Sequence, residues 1–390
     1  MTYNPDVLDK VGGSITDTYE RAELYLIRII RDALIKTGEE PEWAMGQLLA
    51  IRQERYRIDG LVAELQSRSP QLWAQTVDEA YVRGTLEAEK ELGQLTQAGF
   101  FQAAPGETVV NNMAVQAIAA EGVVAMTNMH RQILRRTEDA WRTIVSEATG
   151  YTITGAMTPQ QAAQRAFTRM ARDGMGFFVD SAGRKWGLDT YAEMATRTAT
   201  TRALLAGHTD TMVERGVDLV VVSSHPRPAP VCAPYERKVL SLTGKYPAGT
   251  HRIGDNIVRV TATMHEAEAA GLHHVNCRHR HSAYVPGFTD LTPPTPDEGH
   301  EGYKATQKQR YLERQIRASK RMEAAAIDEH DLAKAQQRRR NYQAQLRDHV
   351  DKYDLPRRRN REQLKKPGGR VTANFEPPKR DADVIDLRRD

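Results

Sequence analysis

Apolar residues recur every three or four positions through the first half of the chain, among charged and polar residues. This spacing places them on one face of a helix. We predict helices over residues 16–37, from 39 toward 65, and over 71–95, 109–148, 159–172 and 188–215. Thr158, Pro159 and Gln161 form the pattern of a capping box at the start of the fifth helix. The helices before residue 150 indicate an extended bundle or stalk that docks on a partner.

The pattern changes between residues 151 and 290, where short apolar runs alternate with turn residues. Segments 177–180 and 184–186 flank Ser181, Ala182 and Gly183, which predicts a β-hairpin. Further strands are predicted at 218–223, 238–242, 256–260 and 284–286, and a short helix at 261–270. We therefore expect a small α+β domain with a short antiparallel sheet over residues 151–290.

The remaining chain is rich in proline and then in charge. Residues 291–302 read as a linker, residues 303–355 as a charged helical arm with helices at 304–326 and 328–350, and residues 356–390 as a disordered basic tail. With a helical region over residues 1–150, the predicted fold class is α+β and predominantly α. No fixed-period internal repeat is visible.

Charge is distributed unevenly along the 390 residues. The chain carries a net charge of +4, but residues 303–390 hold 24 Lys and Arg against 14 Asp and Glu, so the preceding residues are net acidic. A basic arm suggests an anionic partner, and the alternative is a solvated charged helix.

Cysteine content and apolar run length restrict the class of protein. Two cysteines exclude a disulfide framework and fit a reducing compartment. The polar start resembles no secretory signal, and apolar runs such as 219–222 are too short for a membrane span. We expect a soluble protein made in the cytoplasm, with no membrane partner.

Candidate chemistry is concentrated in residues 218–287, which contain both cysteines and seven of the twelve histidines. Thiolate and imidazole groups are the usual zinc ligands. A set made of Cys232, Cys277, His279 and either His273 or His274 is sterically possible. The alternative is that the cysteines are core thiols and the histidines hydrogen-bond to loop backbone. The missing C-x-x-C pairs favour that alternative.

Two catalytic hypotheses use the same residues. A metal-dependent hydrolase or nuclease would resemble His-Asn-His endonucleases, but His274, Asn276 and His279 are crowded into a few positions and cannot flank one metal as that mechanism requires. A Cys-His nucleophile has no orienting carboxylate or oxyanion hole that the sequence identifies. We therefore predict no enzymatic activity and no catalytic residue.

The same stretch resembles the phage minor capsid protein 2 family, within the Mu F-like head-morphogenesis proteins. The residues that carry this resemblance are Asp218 to His225, Arg227-Pro228, Cys232-Ala233-Pro234, Lys238-Val239, Ser241 to Gly244, Gly271-Leu272, Asn276 to His279, Tyr284 to Gly287 and the helix start Tyr303 to Arg317. The resemblance covers residues 158–321.

The resemblance implies a virion component that works with the portal protein and the capsid interior, in few copies, after assembly in the host cytoplasm. Mu F-like relatives often carry C-x-x-C in the first loop and His-x-x-Cys-Arg-Cys later in the chain. In this chain Ala229 stands at the first cysteine of the early pair, and His279 stands at the last cysteine of the later motif. A structural zinc site through His225, Cys232, His274, Cys277 or His279 is the one cofactor that it implies.

The basic arm would lie beside packaged DNA, whose phosphates favour Lys and Arg through counterion release. The candidate residues for non-specific contact are Arg338, Arg339, Arg340, Arg357, Arg358, Arg359 and Arg361.

Overall fold

Long α-helices form most of the chain up to residue 214. The computed structural model describes residues 11–36, 43–102, 111–174, 178–180, 183, 185–275, 277–295 and 297–364. The first helices are α1 (Gly13–Lys36), α2 (Trp43–Gln97), α3 (Asn112–Ile153), α4 (Pro159–Arg172) and α5 (Leu188–Glu214). Residues 1–10, the helix start predicted at 39–42 and residues 103–110, between two predicted helices, lie outside the described residues. No described helix has the length and apolar character needed to span a membrane.

The second and third predicted helices are one continuous helix, α2, which passes through Pro70. The proline is exposed, while Leu65 and Trp73 on either side of it are buried. An internal proline removes one backbone hydrogen bond and costs about 3 kcal/mol. Burial of two large side chains offsets a cost of that size, since each contributes roughly 1.5–3 kcal/mol. The prediction of a break was therefore wrong because packing outweighs local propensity.

The main hydrophobic core lies among these helices, and it includes the fully buried Trp73, Trp141 and Phe167. The indole Nε1 of Trp141 donates to the Gln47 carbonyl at 3.0 Å, so the ring is buried without an unpaired donor. Side chains of α4 and α5 belong to this core, which therefore extends past residue 150. The division into separate domains stays a prediction.

Helices α2 and α5 approach closely at two glycines. A Cβ atom at Gly84 would lie 2.0 Å from the Leu204 carbonyl oxygen, and one at Gly207 would lie 2.2 Å from the Tyr81 carbonyl oxygen. Neither position has room for a side chain, so the two backbones are in direct contact.

Two predicted local features between α3 and α5 are confirmed. Thr158 Oγ1 accepts from the Gln161 amide and Gln161 Oε1 accepts from the Thr158 amide, both at 3.2 Å, which completes the capping box. Strand β1 (Phe178–Val179) pairs antiparallel with β2 (Lys185–Trp186) as a hairpin. Ser181 and Ala182 in its loop lie outside the described residues.

A five-stranded sheet follows α5. Its strands are β3 (Leu219–Val222), β4 (Val239–Ser241), β5 (Gly249–Ile253), β6 (Asn256–Thr263) and β7 (His281–Ala283), and α6 (Met264–Ala269) follows β6. The spatial order is β5-β6-β4-β3-β7, with the fully buried β3 next to the edge. The α+β, predominantly α fold class is confirmed, but β4 and β6 pair in parallel, so the predicted antiparallel sheet is mixed.

Two features of the sheet differ from the prediction. Strand β5 was not predicted, because it is an exposed edge strand with little apolar patterning. The last strand is β7 instead of residues 284–286: its ladder ends where the Tyr284 amide donates to the Leu219 carbonyl. Pro286 has no amide to continue the ladder.

The charged arm contains the two predicted helices, α7 (Glu301–Ala325) and α8 (Glu329–Lys352), which pack antiparallel on each other. Helix α7 also packs on α1 and α4. The buried Arg317 and Arg321 of α7 lie among the carboxylates of Glu23, Asp189 and Glu193. The arm is thereby anchored to the helical core by buried charge.

The segment after α8 corrects one prediction. Residues 356–364, predicted to be disordered, include a 3₁₀ helix at Arg359–Glu362. Arg357 forms a bidentate ion pair with the buried Glu362, with Nε 2.8 Å from Oε1 and Nη2 2.9 Å from Oε2. This pair holds the turn in place. Residues 365–390 of the predicted tail lie outside the described residues.

Candidate metal centre

Two loops at the same end of the sheet bring the cysteines together. Cys232 follows β3 and precedes the 3₁₀ helix Ala233–Tyr235, while Cys277 lies between α6 and β7. Both side chains are buried, and their Sγ atoms are 3.6 Å apart. A disulfide requires about 2.05 Å, so these are free thiols.

His279 supplies a third donor to this cluster. Its Nδ1 lies 3.4 Å from Cys277 Sγ, and donor atoms of Cys232, Cys277 and His279 all lie within 4.8 Å of one another. Tetrahedral zinc, with Zn–S of about 2.3 Å and Zn–N of about 2.0 Å, separates two sulfurs by about 3.8 Å and a sulfur and a nitrogen by about 3.5 Å. The donor atoms therefore fit a zinc ion with little rearrangement.

Glu236 fixes the orientation of the His279 ring. Its Oε1 lies 2.8 Å from His279 Nε2 and also accepts from the His225 backbone amide at 2.6 Å. Both side chains are at most 3% exposed. A carboxylate behind a ligating imidazole is the usual outer partner in zinc sites, because it sets the tautomer and makes the ring a better donor.

The charges of the cluster are coupled. The hydrogen bond from Cys232 lowers the pKa of the Cys277 thiol, and His273 and His279 act in the same direction. The same hydrogen bond, together with burial, raises the pKa of Cys232. Burial opposes the charged form of His279, but Cys277 and Glu236 outweigh it and raise its pKa to about 9. These shifts favour the thiolate form of Cys277 beside the protonated form of His279.

The other predicted ligands are arranged differently. His225 directs Nε2 to the Arg278 carbonyl at 2.8 Å, and its ring packs edge-on against His279 at 4.6 Å. His274 directs Nδ1 to the Val275 carbonyl at 2.7 Å. Neither belongs to the group of converging donors. Asn276, from the endonuclease comparison, lies outside the described residues.

His273 also lies outside the group of converging donors, but its ring nitrogens make it the better candidate for a fourth ligand. Its backbone has a φ of 57°, and neither ring nitrogen has a hydrogen-bond partner although both are buried. The ring is near enough to lower the pKa of Cys277. An unpartnered imidazole beside three donors is the position from which a ligand completes a tetrahedral set.

The same geometry bears on the nucleophile hypothesis. Glu236 provides the orienting carboxylate that the sequence did not identify. However, Cys277 Sγ is buried and is also contacted by the Cys232 thiol and the His279 amide. Reactive cysteines are partly exposed, so this arrangement suits a structural centre better than a nucleophile.

The predicted DNA-contact arginines fall into two groups. On α8, Arg339 pairs with Glu323 at 2.6 Å, Arg338 stacks over Tyr342, and the exposed Arg340 contacts Gln337. After α8, Arg357 pairs with Glu362 and Arg359 is exposed.

Arg358 and Arg361 line a cavity of about 380 Å³ beside the metal centre, together with Arg278 and Arg310. We call the space bounded by these four side chains the arginine cavity.

Sequence reasoning missed Glu236, Arg278 and Arg310. Glu236 acts on His279, 43 positions away, and no spacing in the sequence marks that partnership. Arg278 and Arg310 lie in segments rich in charge, where no sequence feature separates an inward-facing arginine from a solvated one.

The matches to known proteins cover most of the chain. Residues 3–351 match the family model described as phage minor capsid protein 2. The chain is also similar to a structural protein of Lactococcus phage LL-H, with 25% identity over 345 residues, covering 84% of this chain and 90% of that protein. No solved structure gives a significant match. The match includes the N-terminal helices as well as the region that the sequence analysis identified, and it confirms that the chain belongs to the phage minor capsid protein 2 family.

Proposed function

We propose that this protein is a structural component of a tailed-phage head, located in the virion. The observation that carries the proposal is the family match over residues 3–351, supported by the structural protein of Lactococcus phage LL-H. Mass spectrometry and antibody labelling of purified particles test it. Absence of the protein from both procapsids and mature virions would overturn it.

We further propose that its partners are the portal protein and the capsid interior, reached during assembly in the host cytoplasm. Helix α2, of 55 residues, extends for about 80 Å and gives the helical core a long surface for docking. Exposed apolar residues on helices α2 and α3, Leu86, Met113 and Val124, support a protein contact there. Cross-linking of procapsids, followed by peptide mapping, should join these helices to portal peptides. Cross-links confined to other surfaces would contradict this docking face.

The arm is proposed to contact packaged DNA without sequence preference. Arg339 and Arg357 are already paired with carboxylates, so Arg340 and Arg359, which are exposed, are the better candidates. Each phosphate contact contributes about 0.9 to the salt slope of binding. We expect the double variant Arg340→Gln, Arg359→Gln to lower that slope by roughly two. Arg135→Gln, at an 85% exposed position on α3, is the matched control. Equal slopes for both variants exclude contact at these positions.

We propose a structural role for zinc at Cys232, Cys277 and His279, with His273 as the fourth ligand. The burial of the three converging donors supports this role, since catalytic sites keep an open position. Elemental analysis of the protein, before and after treatment with a chelator, tests it. Fully folded protein with less than about one tenth of an equivalent of any metal would exclude the site.

A further inference from the structure

The arginine cavity lies where four segments of the chain meet. Residues 225–229, residues 274, 275 and 277–279, and helix α7 form its walls, and residues 355–361 close one side. Two of its four arginines come from positions far apart in the sequence, Arg278 before β7 and Arg310 on α7. Folding therefore brings like charges together, which costs free energy unless an opposite charge is present.

The described residues provide little opposite charge for Arg278 and Arg310. Neither Arg278 nor Arg310 has a carboxylate at ion-pair distance among them, and the buried Arg310 Nε has no hydrogen-bond partner. Glu313 is the one acidic residue among the described residues that line the cavity, and burial raises its pKa. Burial and the charges of Arg361 and Arg197 lower the pKa of Arg310 to about 10. The arrangement is that of a binding site prepared for an anion.

The size and chemistry of the cavity restrict the anion. Guanidinium groups match phosphate oxygens with paired, directional hydrogen bonds. A phosphate group carries two or more negative charges and more acceptor oxygens than a single carboxylate, so it can contact several guanidinium groups at once. A volume of about 380 Å³ holds a small phosphate compound but not a duplex. Thr306 and Gln307 in the wall add polar groups next to the arginines.

We propose that the arginine cavity binds a small, multiply charged phosphate-class anion through Arg278, Arg310, Arg358 and Arg361. Such an anion would join the metal-centre loops to α7 and to residues 355–361, because its ligands come from all three. Free polyphosphate and the terminal phosphate of a nucleic acid strand share this chemistry. The proposal is independent of a role in the phage head, since it concerns a ligand of the folded chain.

Titration calorimetry of the full chain in phosphate-free buffer tests the proposal, with pyrophosphate as the probe. A short 5′-phosphorylated oligonucleotide and its unphosphorylated form make up the second arm. We expect one pyrophosphate per chain, with binding at least about tenfold weaker in Arg310→Gln and in Arg358→Gln, as for loss of a charge-assisted hydrogen bond. Arg347→Gln, at an exposed position on α8, is the control for charge and should bind as the wild type does.

The two arms separate the sources of phosphate. Pyrophosphate binding that depends on Arg310 indicates a free anion, and Arg310-dependent preference for the phosphorylated strand indicates a strand end. The metal content of each sample is measured before and after titration, because pyrophosphate also chelates metals. No binding in either arm, or equal binding by Arg310→Gln and Arg347→Gln, overturns the proposal.

Discussion

Arg321 Nη1 lies 3.0 Å from Asp189 Oδ2, and this buried ion pair connects α7 to α5. Arg321 Nε also donates to the Ala171 carbonyl at 3.2 Å and lies 3.6 Å from Glu23 Oε1. Arg317 reaches the same Asp189 oxygen at 3.7 Å. One arginine therefore joins three helices of the core to the arm.

Removal of this arginine should destabilise the protein strongly. We expect Arg321→Met to lower the free energy of unfolding by about 3–5 kcal/mol, because the buried, ionised Asp189 would lose the nearer of its two counter-charges. Urea denaturation measures the change. Arg142→Met, at an exposed site on α3 with Glu138 4.0 Å away, should cost less than about 1 kcal/mol. Similar losses for the two variants would contradict the anchoring role.

Glu23 gives the same network a pH dependence. Burial and the Asp189 charge raise the pKa of Glu23 from 4.5 to about 8. A raised carboxyl pKa means that the folded state holds the proton more tightly than the unfolded state. The stabilising contribution of protonated Glu23 is present below pH 4.5 and is lost as the pH rises toward 8.

Glu23→Gln should remove that loss. Near pH 5 the variant and the wild type should be about equally stable, and near pH 8.5 the variant should be more stable by the order of a few kcal/mol. Thermal unfolding across this range gives the comparison. If the variant becomes the less stable protein as pH rises, the ionised Glu23 is a net stabilising group and the assignment is wrong.

Glu236 offers a test of the metal centre that leaves every proposed ligand in place. Loss of the carboxylate behind a ligating histidine typically weakens metal binding about 10- to 100-fold. We expect Glu236→Gln to show this loss in competition with a chromogenic chelator. Glu268→Gln, which neutralises an exposed acid on α6, is the control. Unchanged zinc affinity in Glu236→Gln would show that Glu236 does not support the metal site.

The glycine contact between α2 and α5 should tolerate no side chain. Gly207→Ala places a methyl group against the Tyr81 carbonyl, and we expect a loss of roughly 1–3 kcal/mol or more. Gly150→Ala lies in α3 with no atom within 4 Å of the new methyl group. That change should stabilise the protein by about 0.5–1 kcal/mol. Chemical denaturation of both variants distinguishes backbone contact from helix propensity, and equal effects would refute the contact.

Sequence reasoning succeeded where a local rule determines the structure. The Thr158 capping box, the hairpin at Phe178 and the buried strand at Leu219–Val222 follow from patterns within a few residues. It failed at Pro70, where the packing of Trp73 outweighs a local cost.

The candidate site shows the same limit. Cys232 and Cys277 were visible as uncommon residues, and their pairing with His279 was one of several possible sets. Glu236 hydrogen-bonds to His279, which is 43 positions away, and Arg310 meets the other arginines only in the folded cavity. Neither relationship produces a pattern within a few residues of sequence.

The contact between α1 and the arm has a consequence during synthesis. Arg31 Nη1 donates to the Ala324 carbonyl, 293 positions away, and Glu23 of α1 shares its burial site with Arg321. At about 5–20 residues per second, α1 leaves the ribosome roughly 15–60 s before these partners are made. A chain terminated before α7 therefore lacks Arg317 and Arg321, the counter-charges of the buried Asp189. The buried charge contacts between the helical core and the arm form only after α7 has been synthesised.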